Sequence, residues 1–425
     1  MKKVFLSLMM AVVLVSSISC AQTVSGAELK SDKQYDNSPD VSATDLETLV
    51  SGNTEFALEL YRQLKQENDG NLFYSPYSIS LALAMTYAGA EGETKQQMED
   101  VLHFLLQDED LHAAFNKLAL ELASRGEGAE GKDDEGFRLN IVNAIWGQQD
   151  YEFLDEFLDV LAENYDAGLR ILDFVSNPEE SRITINDWVS EQTEGRIEDL
   201  LKEGDISSLT RLVLTNAIYF NAAWQYPFDE DNTYDGTFYL LDGSQITVEM
   251  MHQTEEFGYT EGDGYQAVEL KYDGGELSMI ILLPEEGNFE AFEDALNAQT
   301  LEGIIANMAT ANITLTMPKF EYDAEFSLRK TLEALGMPVA FSMNADFSGM
   351  TGNTDLFIKD VVHKAFVSVD EAGTEAAAAT GVIMDLKAAP GAPVEFTMDQ
   401  PFIYLIQDIQ TGSILFVGSV VNPLE

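Results

Sequence analysis

One stretch near the carboxyl terminus, residues 369–393, limits the possible folds of this chain more than any other. It reads VDEAGTEAAAATGVIMDLKAAPGAP and contains four consecutive alanines, which favour a helix because alanine has the highest helix propensity. The same stretch also fits a strand, in which successive side chains alternate between two faces. One face of that strand would be small and uncharged, with Thr374, Ala376, Ala378 and Thr380. The other face would carry the only charge, with Glu375, Ala377 and Ala379. Since no proline interrupts residues 374–380, the segment can be a loop in one state and a central strand in another.

The size and charge of the chain exclude several classes of protein. Its 425 residues are 45% hydrophobic, enough for a large core in one large domain or in two or three smaller ones, so wholesale disorder is excluded. The 74 acidic and 23 basic residues give a net charge of −51, which would repel nucleic acid and disfavours an anionic membrane surface. A charge of this size spread along the chain favours adaptation to high salt, where screening removes the self-repulsion. An ordinary acidic protein is the alternative.

The amino terminus has the features of an export signal. Lys2 and Lys3 precede an apolar run over residues 4–15, which is too short to span a membrane. Residues 1–20 are therefore predicted to be a signal peptide, and the polar residues 21–50 a linker.

The only cysteine, Cys20, leaves two kinds of export signal open. It lies where a lipoprotein signal places its lipidated residue, although such signals usually carry a leucine where Ser17 stands. Plain secretory cleavage near Ala21 or Ala27 fits equally well. The protein is therefore expected to be secreted or extracytoplasmic, either free or anchored to a membrane through a lipidated Cys20.

Hydrophobic periodicity predicts a mixture of helices and strands along the remaining chain. Ser75 followed by Pro76 marks the start of a helix, with an N-cap and a proline at the first helical position. Residues 211–224 (RLVLTNAIYFNAAW) are too apolar for a surface strand and fit a central one. Other strands are predicted at 139–146, 171–174, 246–251, 265–272, 277–283 and 313–320. Helices are predicted at 151–165, at 326–335 and within 183–201 up to the Thr-Glu-Gly break at 193–195.

Motifs of common enzymes are absent from the sequence. No G-x-S-x-G or H-E-x-x-H pattern accompanies the four histidines, so hydrolase and zinc-enzyme chemistry lack their residues. Gly126, Gly128 and Gly131 match a dinucleotide-binding pattern, but acidic residues lie among and after them and would repel a pyrophosphate. We therefore expect neither an enzyme nor a cofactor or metal site.

Several segments together resemble the serpins, the serine protease inhibitor family. Residues 71–79 match the family pattern N-x-F-x-S-P-x-S-I, and residues 185–197 match I-N-x-W-V-x-x-x-T-x-G-x-I. Gly373, with the threonine, glutamate and alanines that follow it, resembles the hinge of the serpin reactive loop, and the similarity extends over about residues 51–423. The resemblance implies an α+β serpin fold, with helices packed around three mainly antiparallel β-sheets and an exposed reactive-centre loop. Residues 51–425 would form this one domain, as a monomer.

The resemblance also implies roles for individual residues. Ser75, Ser78, Asn216 and His363 would form the shutter, a latch beneath the main sheet in which His363 is hydrogen-bonded to Asn216 and Ser75. Trp224 would stand at the breach, where loop insertion begins. The hinge would comprise Glu371, Gly373, Thr374, Glu375, Ala376, Ala377, Ala378, Ala379 and Thr380.

The function implied by the resemblance is suicide inhibition of a serine protease, or of a cysteine protease. The protease attacks the exposed loop and forms an acyl-enzyme, and the segment from Thr374 onward then inserts as a central strand. Thr374 itself is expected near the surface before cleavage. The reactive bond would join Lys387 to Ala388, which favours a trypsin-like target. A loop longer than usual leaves the bonds at Leu386, Ala388 and Ala389 as alternatives.

Two other functions are compatible with the sequence. A non-inhibitory carrier, storage or chaperone-like protein with the serpin fold would be cleaved as a simple substrate. A lipid-anchored adhesion or structural role is supported by Cys20 alone. The hinge favours the inhibitor, because a charged residue on the inserting face would be buried without a partner at a cost of several kcal/mol, and that face is small and uncharged here.

Overall fold

A computed structural model of the chain describes residues 27–126, 138–374 and 392–425. The predicted signal peptide with Cys20, the hinge residues from Glu375 to Thr380 and the predicted reactive bond at Lys387 and Ala388 lie outside the described residues. None of the helices within these ranges is long and apolar enough to cross a membrane. The helices are α1 (Ala43–Glu67), α2 (Pro76–Tyr87), α3 (Gly92–Leu102), α4 (Asp108–Ala123), α5 (Asp155–Tyr165), α6 (Pro178–Gln192), α7 (Phe289–Ala295), α8 (Ala298–Ala306), α9 (Arg329–Leu335) and α10 (Ser348–Thr351).

The strands of the described ranges form two hydrogen-bonded sheets. The first has the spatial order β1 (Ala27–Leu29), β4 (Leu169–Leu172), β3 (Arg138–Gln148), β5 (Leu212–Ala223), β13 (Gly373–Thr374), β12 (Val361–Val369) and β11 (Phe320–Ser327). The second has the order β14 (Val394–Thr397), β10 (Ala309–Pro318), β7 (Gln245–Gly262), β8 (Tyr265–Lys271), β9 (Leu277–Pro284), β15 (Phe402–Asp408), β16 (Ile414–Val420) and β2 (Leu72–Tyr74), with β6 (Tyr234–Tyr239) paired to β7. Helices around mainly antiparallel sheets make the fold α+β, as predicted.

The long strand β7 explains why two sheets are observed where three were expected. It spans 18 residues and pairs with β6 and β10 along most of its length. Its last residues, 258–262, pair with β8, and Gly258 and Tyr259 lie between β8 and β10 because they pair with both. The expected second and third sheets are therefore two parts of one hydrogen-bonded network that share this strand.

Strand β5 is central, as its apolar sequence predicted. It is antiparallel to β3 on one side and pairs with β12 and β13 on the other. One face, with Leu214 and Phe220, packs into the large core between the sheets, and the other, with Val213 and Ala217, packs beneath α6. A strand covered on both faces needs no polar alternation, which accounts for the almost unbroken apolar run.

Residues 27–50, predicted to be a linker, are folded against the rest of the protein. β1 pairs antiparallel with β4 at the edge of the first sheet, and Lys30 and Lys33 form ion pairs with acidic residues in and next to α5. Helix α1 begins at Ala43, behind the N-cap Ser42. The structure differs from the predicted linker because the residues of β1 are all exposed and are held by backbone pairing and ion pairs. Neither interaction leaves a hydrophobic pattern in the sequence.

Candidate functional site

The strand order places the expected insertion site between β5 and β12. These strands pair in parallel where residues 361–365 of β12 lie beside residues 214–218 of β5. Further along they separate, and β13 lies between them, antiparallel to both. Two of the hinge residues, Gly373 and Thr374, are therefore already part of the sheet.

A tight turn returns the chain from β12 into β13. Asp370 holds it: Oδ1 accepts the backbone N–H of Ala372 (2.8 Å) and of Gly373 (3.2 Å), and the N–H of Asp370 donates to the carbonyl of Gly373 (3.0 Å). Gly373 approaches β5 so closely that a Cβ would lie 2.2 Å from the carbonyl oxygen of Ala222. Only glycine fits this position while β13 stays in the sheet.

Thr374 is buried, so the expectation that it lies near the surface before cleavage is wrong. It is 1% exposed, and its Oγ1 lies 2.8 Å from the hydroxyl oxygen of Tyr272. The cause is the separation of β5 and β12, since β13 supplies partners for backbone groups of both strands at that point. Side-chain alternation in the sequence indicates which face a strand would bury, but not how far the strand has entered a sheet.

Trp224, the expected breach residue, lies where β5 ends and contacts the hinge turn. Its indole stacks on the ring of Tyr272, with the centroids 4.7 Å apart and the planes at 11°. The indole Nε1–H donates to the carbonyl of Asp370 (3.0 Å), and the backbone N–H donates to that of Ala372 (2.8 Å). Trp224 therefore fixes the turn through both its side chain and its backbone.

Glu371, in the same turn, has two partners that the sequence did not indicate. Its carboxylate accepts hydrogen bonds from the hydroxyl of Thr233 (2.7 Å) and from the ammonium of Lys319 (3.1 Å). Burial acts to raise the pKa of Glu371, but the hydrogen bonds from Thr233, its own backbone and Lys319 outweigh burial and hold this pKa below its ordinary value. Glu371 is therefore ionised at neutral pH and ties the turn to the segments before β6 and β11.

The four expected shutter residues come together on the α2 side of the first sheet. His363 Nε2 accepts the backbone N–H of Ser75 (3.2 Å), and His363 Nδ1 is hydrogen-bonded to Oδ1 of Asn216. Asn216 Nδ2 donates to Oγ of Ser78 (2.6 Å). Asn143 of β3, which the sequence did not indicate, completes the cluster through hydrogen bonds to Asn216 and Ser78. These side chains connect β3, β5 and β12 with the start of α2.

The hydrogen bonds assign the tautomer of His363. Because Nε2 accepts a hydrogen bond, the proton of the neutral ring is on Nδ1, which donates to Asn216. Burial lowers the pKa of His363 to about 3, so the ring is neutral at physiological pH. Protonation would place a second N–H on Nε2, directly facing the N–H of Ser75.

The shutter and the hinge lie along the same path between two strands. His363 lies opposite Asn216 where β5 and β12 are paired, and the hinge enters where they have separated. A segment that continued from Thr374 toward the shutter would replace the pairing of β5 with β12 by two new ladders. Within residues 27–126, 138–374 and 392–425, no group of three or more His, Cys, Asp or Glu side chains is arranged to hold a metal ion.

Comparison with known proteins gives relatives along most of the chain. Residues 51–423 match the profile of the family described as "Serpin (serine protease inhibitor)". An uncharacterized serpin-like protein of Thermococcus kodakarensis is 44% identical over 379 residues, which cover 89% of this chain and 86% of the relative. The leukocyte elastase inhibitor of Bos taurus is 40% identical over 388 residues, which cover 89% of this chain and all of the inhibitor.

Solved structures give the same result for the fold. The native state of tengpin, a thermophilic serpin, has a TM-score of 0.81 at 29% identity and covers 94% of this chain and 100% of its own. Human thyroxine-binding globulin in complex with thyroxine has a TM-score of 0.80 at 31% identity and covers 90% of this chain and 100% of its own. The sequence and the fold thus agree, and the chain belongs to the serpin family.

Proposed function

We propose that this serpin is not an enzyme but an inhibitor of serine endopeptidases, which it traps irreversibly as a suicide substrate. The observation that carries the proposal is the position of β13. Gly373 and Thr374 already pair with β5 and β12, on a path that leads toward the shutter. A freed loop has only to continue in that direction to become a full central strand. The similarity to leukocyte elastase inhibitors supports protease inhibition in general.

The proposed reaction begins at the bond between Lys387 and Ala388. The serine hydroxyl of the protease attacks the carbonyl carbon of Lys387, the carbon–nitrogen bond breaks, and the amine of Ala388 leaves with a proton. An ester then joins the protease to Lys387, and water would ordinarily hydrolyse it. In the proposed mechanism the segment from Thr374 onward inserts first, carries the protease with it and distorts its active site.

The energy for this movement comes from the new strand. Each net backbone hydrogen bond contributes ~1 kcal/mol, so about ten inserted residues supply on the order of 10 kcal/mol. Insertion must separate residues 361–365 from residues 214–218 and part His363 from Asn216. Because the inserted strand forms two hydrogen-bonded ladders in place of one, the free energy of hydrogen bonding favours insertion. The shutter then acts as the latch that keeps the sheet closed until the loop is cut.

The proposed target is a trypsin-like serine protease. A protease that binds Lys387 in its specificity pocket needs a buried carboxylate in that pocket. A cysteine protease forms the analogous acyl-enzyme and is the broader alternative. The export signal proposed for residues 1–20 supports a meeting of the two proteins outside the cytoplasm, with Cys20 as the lipid acceptor if the inhibitor is anchored.

Incubation with trypsin followed by denaturing electrophoresis tests the proposal. We expect a stable band at the combined mass of trypsin and the inhibitor without its released carboxyl-terminal peptide. Trypsin with a blocked active-site serine is the control and should give no such band. Clean cleavage without an adduct would instead assign the chain to the non-inhibitory carrier or chaperone-like class.

Mass spectrometry of the released peptide identifies the reactive bond in the same experiment. A peptide that begins at Ala388 supports Lys387 as the residue bound in the specificity pocket of the protease. A peptide that begins elsewhere would move the bond to one of the neighbouring positions and leave the trapping mechanism unchanged.

A further inference from the structure

The hydroxyl pair of Thr374 and Tyr272 links the hinge to a different sheet. Tyr272 directly follows β8 of the second sheet, whereas Thr374 belongs to the first. Both residues are 1% exposed, and their hydroxyl oxygens lie 2.8 Å apart. The ring of Tyr272 is fixed by its stack on Trp224 and by an edge-on contact with Phe220 at 5.2 Å. Tyr272 therefore presents a rigidly held polar atom beneath the point where the loop enters.

In a strand that continued from Thr374, this pair would determine which face points toward the second sheet. Side chains of a strand alternate, and a slip of one residue exchanges the two faces. In a strand that continued with Thr374 on Tyr272, Ala376 and Ala378 would follow on the buried face and Glu375 would point away. After a slip of one residue, the carboxylate of Glu375 would enter the aromatic site around Tyr272, where burial disfavours its charge.

We propose that Tyr272 is a positioning residue of the trapping reaction, whose hydroxyl captures Thr374 and fixes the register in which the loop continues between β5 and β12. The inference rests on the proposed trapping function and adds the residue that holds its starting register. Because Tyr272 is buried beneath the sheet, its loss should leave cleavage of the loop unchanged and impair only insertion. More cleaved inhibitor would then release the protease.

The substitution Tyr272→Phe tests this inference, since it removes the hydroxyl and keeps the aromatic stack. We expect Tyr272→Phe and Thr374→Val each to raise the number of inhibitor molecules consumed per trypsin trapped by about fivefold, the ratio for one hydrogen bond of ~1 kcal/mol, at an unchanged rate of loop cleavage. For the double variant, fewer inhibitor molecules should be consumed per trypsin trapped than for either single variant, because neither hydroxyl is then left unpaired. Tyr322→Phe is the control: its hydroxyl is also buried and lies 2.9 Å from that of Tyr404, with the backbone oxygens of Leu72 and Ser419 as further partners. Its removal should not affect trapping.

Hydrogen exchange of the uncleaved protein gives a second readout that needs no protease. The backbone N–H groups of Gly373 and Thr374 should exchange faster in Tyr272→Phe but not in Tyr322→Phe. Wild-type trapping by Tyr272→Phe, unchanged exchange at the hinge, or additive losses in the double variant would each overturn the inference and leave the trapping proposal intact. If the wild-type chain forms no adduct, the trapping proposal fails and the inference fails with it.

Discussion

At the scale of single residues, Thr374 is a hinge residue that is already buried in the first sheet. Because it is buried against Tyr272, Thr374→Arg would bury a charge at a cost of several kcal/mol in the uncleaved protein as well as in the inserted one. We expect β13 to leave the sheet, the melting temperature to fall and trypsin to escape, so that the variant is cleaved without an adduct.

The matched control for that variant is Glu375→Arg, because Glu375 is the next residue and alternates to the outer face of the inserted strand. It should still trap trypsin. The readout is adduct yield on a denaturing gel for both proteins. Loss of the adduct in both variants, or in neither, would show that the hinge is not buried in an alternating pattern.

His363 should make the shutter sensitive to acid. The pKa of His363 is about 3 in the folded protein, whereas the pKa of an unfolded histidine is about 6.5. The unfolded state therefore binds the extra proton, so the contribution of the neutral ring is complete above about pH 6.5 and is lost as the pH falls toward 3. Over this interval the free energy of unfolding should fall by as much as ~1.4 kcal/mol per pH unit.

The variant His363→Gln isolates this effect from other titrating groups. It should be less stable than the wild type at neutral pH, and the difference should shrink by about 1.4 kcal/mol per pH unit between about pH 6 and 4. His112, whose pKa burial lowers to about 4, contributes equally to both proteins and cancels in the comparison. Urea unfolding at several pH values measures the difference, and parallel pH profiles would contradict this role of His363.

The sequence could predict some site residues because they lie inside recognisable segments. Ser75 lies in one such segment, and His363 leads into the hinge, so both could be placed before the structure was known. Asn143, Thr233 and Lys319 could not, because their partners are far away in the sequence and are brought near only by sheet packing. An asparagine, a threonine and a lysine carry no local signal of such contacts.

At the scale of elements, β13 approaches β5 so closely at Gly373 that one methyl group would displace it. In Gly373→Ala the new Cβ would lie 2.2 Å from the backbone oxygen of Ala222, so we expect β13 to leave the sheet. Hydrogen exchange at Thr374 should then accelerate, and adduct yield should fall several-fold. Gly303→Ala in α8 is the control, since its Cβ would meet no atom within 4 Å. Equal adduct yields for the two variants would argue against a role for β13 before cleavage.

Element types were easier to predict than their boundaries. The predicted helix at 326–335 begins only at Arg329, because Phe326 belongs to β11 and pairs with β12. The strand predicted at 313–320 divides after Pro318 into β10 and β11, which lie in different sheets. Short apolar segments fit both periodicities, and long-range strand pairing decides between them.

At the scale of the whole molecule, the net charge of −51 should make stability depend on salt. Screening shortens the range of repulsion among the acidic side chains, from ~10 Å at 0.1 M salt to ~3 Å at 1 M. We expect the melting temperature to rise between low and molar sodium chloride, and potassium chloride to act similarly. A melting temperature that is unchanged or lower in molar salt would contradict adaptation to salt.

In the whole molecule, we expect the cleaved loop to become a full strand between β5 and β12. The most direct test compares thermal unfolding before and after the loop is cut by a zinc metalloprotease, which forms no acyl-enzyme and so is not trapped. About ten residues at ~1 kcal/mol each, with roughly 2 °C per kcal/mol in a large domain, predict a rise in melting temperature on the order of 20 °C. A melting temperature that stays the same or falls after cleavage would contradict the account.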